Sequence, residues 1–212
     1  MKQSAIEKST ERKLGRPHGS SSEDRRARLL KAAGEQFNVR AFSEVSMAEI
    51  ARSAGITGAA IYNYFDSKDE LFQETVKDRI INYNRFISDA VAISGSWKDK
   101  LNNLLDAVAE LQEQNAAFPQ IAAVVQARLL REPEKYQEIR DLRNESSLIY
   151  GSLISEAIHD GDLPKDIDIS ITGDLLMAIT AGAIPTVSFY HSEPGDTDQI
   201  IGAVRALLGI DR

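Results

Sequence analysis

The sequence contains no cysteine and only three histidines. Without cysteine the chain can form neither a disulfide nor a metal site with thiolate ligands. The histidines, His18, His159 and His191, are far apart, and the many acidic residues show no spacing typical of metal ligands or of an acid–base pair. We therefore expect no catalytic residue, no metal site and no cofactor, and a protein that is not an enzyme.

Long apolar runs are absent as well. No stretch approaches the roughly 20 apolar residues that a membrane-spanning helix requires, and the polar N-terminus lacks the apolar segment of a secretion signal. The hydrophobic content of 42% and the charged content of 27% are ordinary for a globular chain, and 212 residues suffice for one or two domains. We expect a cytoplasmic protein with no membrane partner.

The net charge of −7 is unevenly distributed along the chain. Residues 1–68 contain 12 Lys and Arg against 8 Asp and Glu, whereas the remaining residues contain 13 against 24. A basic N-terminal third on an acidic remainder is typical of a chain whose N-terminal part binds nucleic acid. The acidic remainder would then be held away from the polyanion.

Apolar residues recur at helical spacing along most of the chain, and no alternating stretch is long enough to predict a β-strand. The sequence therefore predicts an all-α fold. Residues 1–22 are polar and rich in glycine and serine, which predicts a flexible basic tail. Pro185 should bend or weaken the helix that contains it. The longer helices are predicted over residues 24–38, 67–93, 97–115, 118–130, 133–159, 168–190 and 197–208.

The end of the basic region predicts two short helices around a tight turn. Ser46 and Glu49 form the sequence pattern of a capping box, which starts the first helix. Gly55 suits the left-handed conformation that follows a helix end. Thr57 can cap a second helix over residues 58–64. This arrangement is typical of a helix-turn-helix, and a second capping box, Ser67 with Glu70, then starts a long helix.

The two short helices are predicted to have one buried and one exposed face. Their apolar seam comprises Ile50, Ala54, Ile61 and Phe65. Small exposed side chains let the second helix enter a DNA major groove, where asparagine can read adenine and alanine can touch a thymine methyl group. The predicted base contacts are Thr57, Ala59, Ala60 and Asn63.

Several cations precede or begin helices, where they oppose the helix dipole but suit a bound phosphate. Lys68 begins the long helix, and Arg25 and Arg28 lie near the start of the first one. The alternative is that these side chains only point into water. The predicted phosphate contacts are Ser46, Tyr62, Tyr64, Lys68, Arg25 and Arg28.

The N-terminal tail contains a possible minor-groove arm. Gly15, Arg16 and Pro17 resemble the centre of an AT-hook, in which Arg16 would enter a narrow A·T minor groove. Leu14 stands where such hooks usually have a second arginine. The alternative is a basic tail that adds only non-specific attraction to phosphate.

The same region matches a longer pattern of fixed spacings. Its residues are Phe42, Val45, Ser46, Met47, Ile50, Ala51, Ala54, Gly55, Ile56, Thr57, Ile61, Tyr62, Tyr64, Phe65, Ser67, Lys68, Leu71 and Phe72. Over about residues 25–75 this pattern resembles the N-terminal domain of TetR-family transcriptional regulators. Ala41 and Ala59 depart from it, since glycine is usual at the first position and frequent at the second.

The resemblance implies three parts: a tail at residues 1–22, a three-helix DNA-binding domain at 23–72, and a helical ligand-binding and dimerisation domain at 73–212, joined through the long helix. It implies a homodimeric regulator that binds an operator in double-stranded DNA. We expect a repressor that a small hydrophobic or amphipathic ligand releases. The alternative is a sensing module that activates transcription or whose helix-turn-helix contacts protein.

The resemblance also implies a ligand pocket and a dimer interface in the body. Each set has ordinary core packing as its alternative. The predicted ligand pocket comprises Tyr83, Phe86, Phe118, Gln126, Tyr150 and Met177. The predicted dimer interface comprises Leu175, Ala178, Ile179, Gly182, Ile201, Val204 and Leu208.

Overall fold

The computed structural model describes residues 21–114, 118–190 and 197–210. Within these ranges every regular element is a helix and no β-strand forms, which confirms the all-α prediction. No helix of the described part is long and apolar enough to cross a membrane. The helices are α1 (Ser22–Val39), α2 (Met47–Ser53), a 3₁₀ segment (Ala60–Asn63), α3 (Lys68–Val91), α4 (Trp97–Gln114), α5 (Phe118–Arg131), α6 (Gln137–His159), α7 (Ile169–Tyr190) and α8 (Thr197–Leu208).

Side-chain caps set the start of the first helix. The Ser21 hydroxyl accepts from the Asp24 amide at 3.0 Å, and the Asp24 carboxylate accepts from the Ser21 amide at 2.9 Å. This capping box starts α1 at Ser22, two residues before the predicted start.

The start of α3 differs in detail from the prediction. Ser67 accepts from the Glu70 amide at 3.1 Å, as expected. The Glu70 carboxylate, however, accepts from the Asp66 amide at 2.6 Å, so the predicted capping box is not closed on Ser67 itself.

Two hydrophobic cores lie along α3. The N-terminal core includes Phe72, Val76 and Ile80 of this helix, and the second core begins at Ile87. The N-terminal core also takes in Val125 of α5, and Tyr136 and Ile139 at the start of α6. The corner between α5 and α6, residues 125–139, therefore packs with the N-terminal helices rather than with the second core.

In the body, α6 and α7 cross at close range. A Cβ atom added to Gly173 would lie only 2.9 Å from the backbone nitrogen of Gly151. The absence of both side chains allows the two backbones to approach closely. This crossing supports the second core, which includes Tyr150 and Leu176.

Candidate functional site

The turn after α2 has the backbone geometry that the sequence predicts. Gly55 adopts a φ of +69°, in the left-handed region. The Gly55 amide donates to the Arg52 carbonyl at 3.1 Å, and the Ile56 amide donates to the Ala51 carbonyl at 2.8 Å. These two hydrogen bonds form a Schellman motif, which ends α2 and directs the chain into the next element.

The segment after the turn has one buried and one exposed face. Ile61 and Phe65 are buried in the N-terminal core, whereas Tyr62 is 55% exposed and Asn63 is also exposed. Ile50 and Ala54 of α2 are buried beside them, so the predicted seam is confirmed. The polar edge of this segment is therefore accessible to a macromolecular partner.

The second element is a short 3₁₀ segment, Ala60–Asn63, rather than a helix over residues 58–64. The Ala60 amide donates to the carbonyl of Thr57 at 3.0 Å, and the Tyr64 amide donates to that of Ile61 at 2.9 Å. Both bonds span three residues, the spacing of a 3₁₀ helix. Gly58, a poor helix former, precedes the segment and shortens it.

The four predicted base-contacting residues lie on or beside this segment. Thr57, Ala59 and Asn63 are exposed, and Ala60 is half-buried. The Thr57 hydroxyl oxygen accepts from the Ala60 amide at 3.3 Å, which leaves its hydrogen available to donate. The exposed Asn63 amide offers both a donor and an acceptor, as reading a base edge requires.

The predicted phosphate contacts surround the same face. Ser46 is exposed, and its hydroxyl accepts from the Glu49 amide at 3.2 Å, so its hydrogen also remains available. Arg25 and Arg28 are exposed on α1. A Cβ atom added to Gly55 would lie 3.6 Å from the Arg28 guanidinium, so that cation lies beside the turn. Tyr64 is half-buried and packs against the N-terminal core.

Lys68 has an internal role that the sequence analysis missed. Its ammonium group donates to the carbonyls of Phe42 at 2.8 Å and Val45 at 2.9 Å, and lies 4.6 Å from the centre of the Phe42 ring. The side chain therefore ties the loop before α2 to the start of α3. One of its three hydrogens is left for another acceptor.

A second group of side chains around the start of α3, Arg128, Asp69 and Tyr136, was not predicted from the sequence. Arg128 of α5 forms an ion pair with Asp69 and donates to the Tyr136 hydroxyl at 2.7 Å. Its guanidinium carbon lies 4.1 Å from the centre of the Phe42 ring and 4.7 Å from that of Phe72. No local spacing could have revealed the ion pair, because its partners are 59 residues apart in the sequence.

The electrostatics of this group centre on Asp69. Partial burial would by itself raise the pKa of Asp69, but hydrogen bonds from Lys135 and Arg128 outweigh it and hold the pKa below its ordinary value. The Lys135 ammonium lies 2.6 Å from the carboxylate. The charged form of Asp69 is therefore the one that the folded chain favours.

In the body, two of the predicted pocket residues form a buried hydrogen-bonded chain. The hydroxyls of Tyr83 on α3 and Tyr150 on α6 are 2.8 Å apart, and Tyr150 is also 2.8 Å from the Thr180 hydroxyl on α7. Burial, followed by the contact with Tyr150, raises the pKa of Tyr83 well above its ordinary value. Thr180, a polar residue in an apolar stretch of sequence, could have been noticed by that contrast.

Asn84, which follows Tyr83 on α3, makes a second polar contact with α6. The Asn84 amide donates to the carbonyl of Leu142 at 2.8 Å and accepts from the Ser146 hydroxyl at 2.5 Å. Both Asn84 and Ser146 are buried. Together with the tyrosine pair, this link fixes α3 against α6 at a defined position.

The other predicted pocket residues are dispersed. Phe86 and Met177 are half-buried, whereas Gln126 is exposed and does not join them, because its neighbour Val125 takes the inward position on α5. The Phe118 side chain lies outside the described residues. A cavity of about 450 Å³ lies elsewhere, lined by Gly95, Ser96, Trp97, Ser155, Glu156, His159 and Asp160.

The predicted dimer interface divides into two groups. On α7, Leu175 and Ile179 are 58% and 42% exposed, Ala178 is exposed, and Gly182 has no atom within 4 Å of an added Cβ. On α8, by contrast, two predicted residues face the protomer's own core. These two are Ile201 and Val204, which are only 2% and 4% exposed.

The exposed apolar residue of α8 is therefore a different one. Leu207 is 83% exposed, while Leu208 is half-buried against the second core. Ile201, Val204 and Leu208 share the face that packs inward, whereas Leu207 lies about a quarter turn away, at the edge of that face. Arg16, the predicted minor-groove residue, lies outside the described residues.

Comparison with known proteins connects this geometry to a family. A model described as bacterial regulatory proteins of the tetR family matches residues 29–75. YdgC of Bacillus subtilis, an uncharacterized HTH-type transcriptional regulator, is 42% identical over 59 residues, which make up 28% of this chain and 30% of YdgC. The HTH-type transcriptional repressor KstR2 of Mycolicibacterium smegmatis is 25% identical over 156 residues, 72% of this chain and 74% of KstR2.

The fold extends this similarity beyond the N-terminal region. The transcriptional regulator FadR of Bacillus subtilis, solved in complex with stearoyl-CoA, has a TM-score of 0.66 at 16% identity, covering 84% of this chain and 96% of FadR. At that identity the likeness concerns the fold alone. Residues 29–75, which contain the exposed helix-turn-helix, thus match the tetR family of bacterial regulatory proteins, and the chain is similar to transcriptional regulators over most of its length.

Proposed function

We propose that this chain is a homodimeric repressor that binds a specific DNA operator and is released from it by a small hydrophobic or amphipathic ligand. Its working parts are a DNA-reading unit at residues 23–72 and a sensing and dimerising body at 73–212. The observation that carries the proposal is the exposed edge of the 3₁₀ segment, with Asn63 and Tyr62 outward and Ile61 inward.

DNA reading would divide between base and phosphate contacts. Thr57, Ala59, Ala60 and Asn63 are the proposed base contacts, because they lie on or beside the exposed segment. The proposed phosphate contacts are Ser46, Tyr62, Tyr64, Lys68, Arg25 and Arg28, with Arg16 reaching into the minor groove. Lys68 would use its one remaining hydrogen, since two are donated to carbonyls.

Dimerisation would use the outward faces of α7 and α8. Leu175, Ala178, Ile179 and Gly182 supply α7, and Leu207 replaces Ile201 and Val204 on α8. Exposed leucines and isoleucines on adjacent helices favour burial against a second copy. A two-fold dimer would place its reading segments on two half-sites about 34–36 Å apart or at a multiple of that spacing.

The ligand is proposed to bind in the body near the tyrosine pair. Tyr83, Phe86, Tyr150 and Met177 combine apolar surface with two hydroxyls, which suits a molecule that has an apolar part and one polar group. FadR, of the same fold, binds stearoyl-CoA, whose long acyl chain is of this kind. Release would follow if the ligand favours a position of α3 that changes the half-site separation, with a coupling of about 1–3 kcal/mol.

Selection from random double-stranded DNA, followed by a mobility-shift titration at fixed salt, tests the DNA-binding part. We expect one enriched palindromic sequence, and we expect Asn63→Ala to lose preference at one base pair in each half-site. Asn144→Ala, at an exposed position on α6, is the matched control and should bind as the wild type does. No enrichment, or equal discrimination by both variants, would contradict the proposed reading.

The ligand part is tested separately with a series of acyl-CoA esters of increasing chain length. We expect at least one to weaken operator binding about 5–150-fold at constant salt. A ligand that binds the protein, as measured by calorimetry, but leaves operator affinity unchanged would remove the proposed release mechanism.

A further inference from the structure

We propose that Arg128, a residue of the body, is a positioning residue for the DNA contacts of the N-terminal unit. It would hold Lys68 and the loop over residues 40–46 in the arrangement that meets a phosphate. The inference rests on the proposed DNA-binding function, and it assigns to α5 a part in DNA affinity although α5 does not carry the reading segment.

Arg128 has three separate kinds of contact near the start of α3. It pairs with the Asp69 carboxylate, it donates to the Tyr136 hydroxyl at 2.7 Å, and its guanidinium lies 4.1 Å from the centre of the Phe42 ring. The Arg128 side chain is only 22% exposed and that of Asp69 is 29% exposed. A planar guanidinium held by a carboxylate, a hydroxyl and aromatic rings is fixed in orientation, which lysine could not reproduce.

Phe42 connects Arg128 to Lys68. Its ring has both cations over it, at 4.1 Å from Arg128 and 4.6 Å from Lys68, and its carbonyl accepts from the Lys68 ammonium at 2.8 Å. The ring also packs against Phe37 and Phe72, with centroids 5.7 Å and 5.4 Å away. The position of Phe42 therefore sets that of its own carbonyl, and with it the direction of the Lys68 side chain.

Asp69 makes the second connection. It follows Lys68 directly in the first turn of α3, so its pairing with Arg128 fixes the backbone from which Lys68 extends. Arg128 thus restrains Lys68 in two ways. Through Asp69 it fixes the Lys68 backbone, and through Phe42 it fixes the carbonyl that accepts from the Lys68 ammonium. The same loop ends at Ser46, another proposed phosphate contact.

Through these contacts, a change in the position of α5 in the body would alter the DNA-reading unit. Val125, Tyr136 and Ile139 belong to the N-terminal core, so the corner between α5 and α6 is packed directly against the helices of that core. A displacement of α5 would carry Arg128 with it and disturb Phe42 and Asp69 together. DNA affinity would then change without any ligand approaching the reading segment.

The test measures operator affinity and its salt dependence for Arg128→Gln in the full-length dimer, with the sequence obtained by selection. We expect affinity to fall about tenfold at fixed salt. We expect the slope of log affinity against log salt to become shallower by about one unit per half-site, and we expect the same change for Lys68→Ala, which removes the proposed phosphate contact itself. The double variant Arg128→Gln, Lys68→Ala should bind no more weakly than Lys68→Ala alone, because both changes remove the same phosphate contact.

Arg131→Gln is the matched control. It removes the same charge three residues further along α5, at an exposed position, and should keep wild-type affinity and slope. An equal loss in Arg131→Gln would mean that only the overall charge of α5 matters, and would overturn the inference. So would an Arg128→Gln variant that melts at a lower temperature but retains wild-type affinity and slope, since its role would then be stability alone.

Tyr136→Phe decides the question if Arg128→Gln does not fold. It keeps the buried ring, which is 1% exposed, and removes only the hydroxyl that accepts from Arg128. Weaker operator binding with a shallower slope supports the inference, and wild-type values for both contradict it. A wild-type protein that binds no selected DNA would instead refute the proposed function itself, so the two failures are distinguishable.

Discussion

The hydroxyls of Tyr83 and Tyr150 lie 2.8 Å apart and join the helix that carries the DNA-reading unit to the body. Tyr150 is fully buried and also contacts the Thr180 hydroxyl at 2.8 Å. Three helices, α3, α6 and α7, are thus linked through one phenol. A ligand with a polar group that displaced any of these hydroxyls would alter how α3 is held.

Tyr150→Phe should destabilise the fold. The change leaves the buried hydroxyls of Tyr83 and Thr180 without their shared partner, which costs about 1–3 kcal/mol in the free energy of unfolding. Urea unfolding at constant protein concentration measures it. Tyr62→Phe removes the same group from a residue that is 55% exposed and should leave the unfolding midpoint unchanged. Equal midpoints for both variants would contradict the structural role of the chain of hydroxyls.

Gly55→Ala should destabilise the helix-turn-helix. The φ of +69° at Gly55 is unfavourable for any residue with a Cβ atom, by about 1–2 kcal/mol. Gly58→Ala is the contrast, because an added Cβ there would lie 3.5 Å from the Cβ atom of Ala48 and 3.7 Å from its Cα atom, both ordinary contacts. Thermal unfolding should therefore separate the two variants, and a Gly55→Ala protein as stable as Gly58→Ala would show that the turn relaxes to another conformation.

Asp69→Asn should change how stability depends on pH. The pKa of Asp69 is lowered in the folded chain, so its charged form stabilises the fold at any pH above the ordinary aspartate value of about 4. That contribution is lost as the pH falls through the lower, folded pKa. The variant should be less stable than the wild type at pH 7, and the difference should shrink as the pH falls below about 4.

Denaturant unfolding at a series of pH values tests this expectation, with Asp166→Asn as the control at an exposed site. A gap between Asp69→Asn and the wild type that stays constant down to pH 2 would mean that the carboxylate charge contributes nothing to the Arg128 contact.

Leu207→Arg should convert the proposed dimer to monomers. Leu207 is 83% exposed in the protomer, and burial of one leucine in an interface contributes about 1.5–3 kcal/mol, a stabilisation that an unpaired arginine reverses. Analytical ultracentrifugation gives the association state. Leu130→Arg is the matched control, since Leu130 is 80% exposed on α5, away from the proposed interface. A dimeric Leu207→Arg protein, or a monomeric Leu130→Arg protein, would place the interface elsewhere.

The sequence indicated the helix-turn-helix because its signals are local. The Ser46–Glu49 capping box and the left-handed Gly55 each depend on residues within a few positions of one another, and the structure contains both. The helical period likewise identified Ile61 and Phe65 as buried. The 3₁₀ form of the second element was not predicted, because period alone does not distinguish hydrogen bonds that span three residues from those that span four.

The contacts between distant elements could not be predicted from the sequence. The sequence shows Lys68 only as a cation at a helix start, because the carbonyls of Phe42 and Val45 that accept from it are more than 20 residues away. On α8 both faces carry apolar residues, so the sequence did not decide whether Val204 or Leu207 packs inward. That choice depends on which surface α4 and α7 cover.

The proposed dimer would distinguish one DNA sequence from others through its exposed segment. Fluorescence anisotropy at fixed salt, comparing the selected operator duplex with a scrambled duplex of equal length and composition, measures it most directly. We expect the operator to be bound at least about 1,000-fold more tightly than the scrambled duplex, with two protomers on each site. Equal affinity for the two duplexes would contradict it.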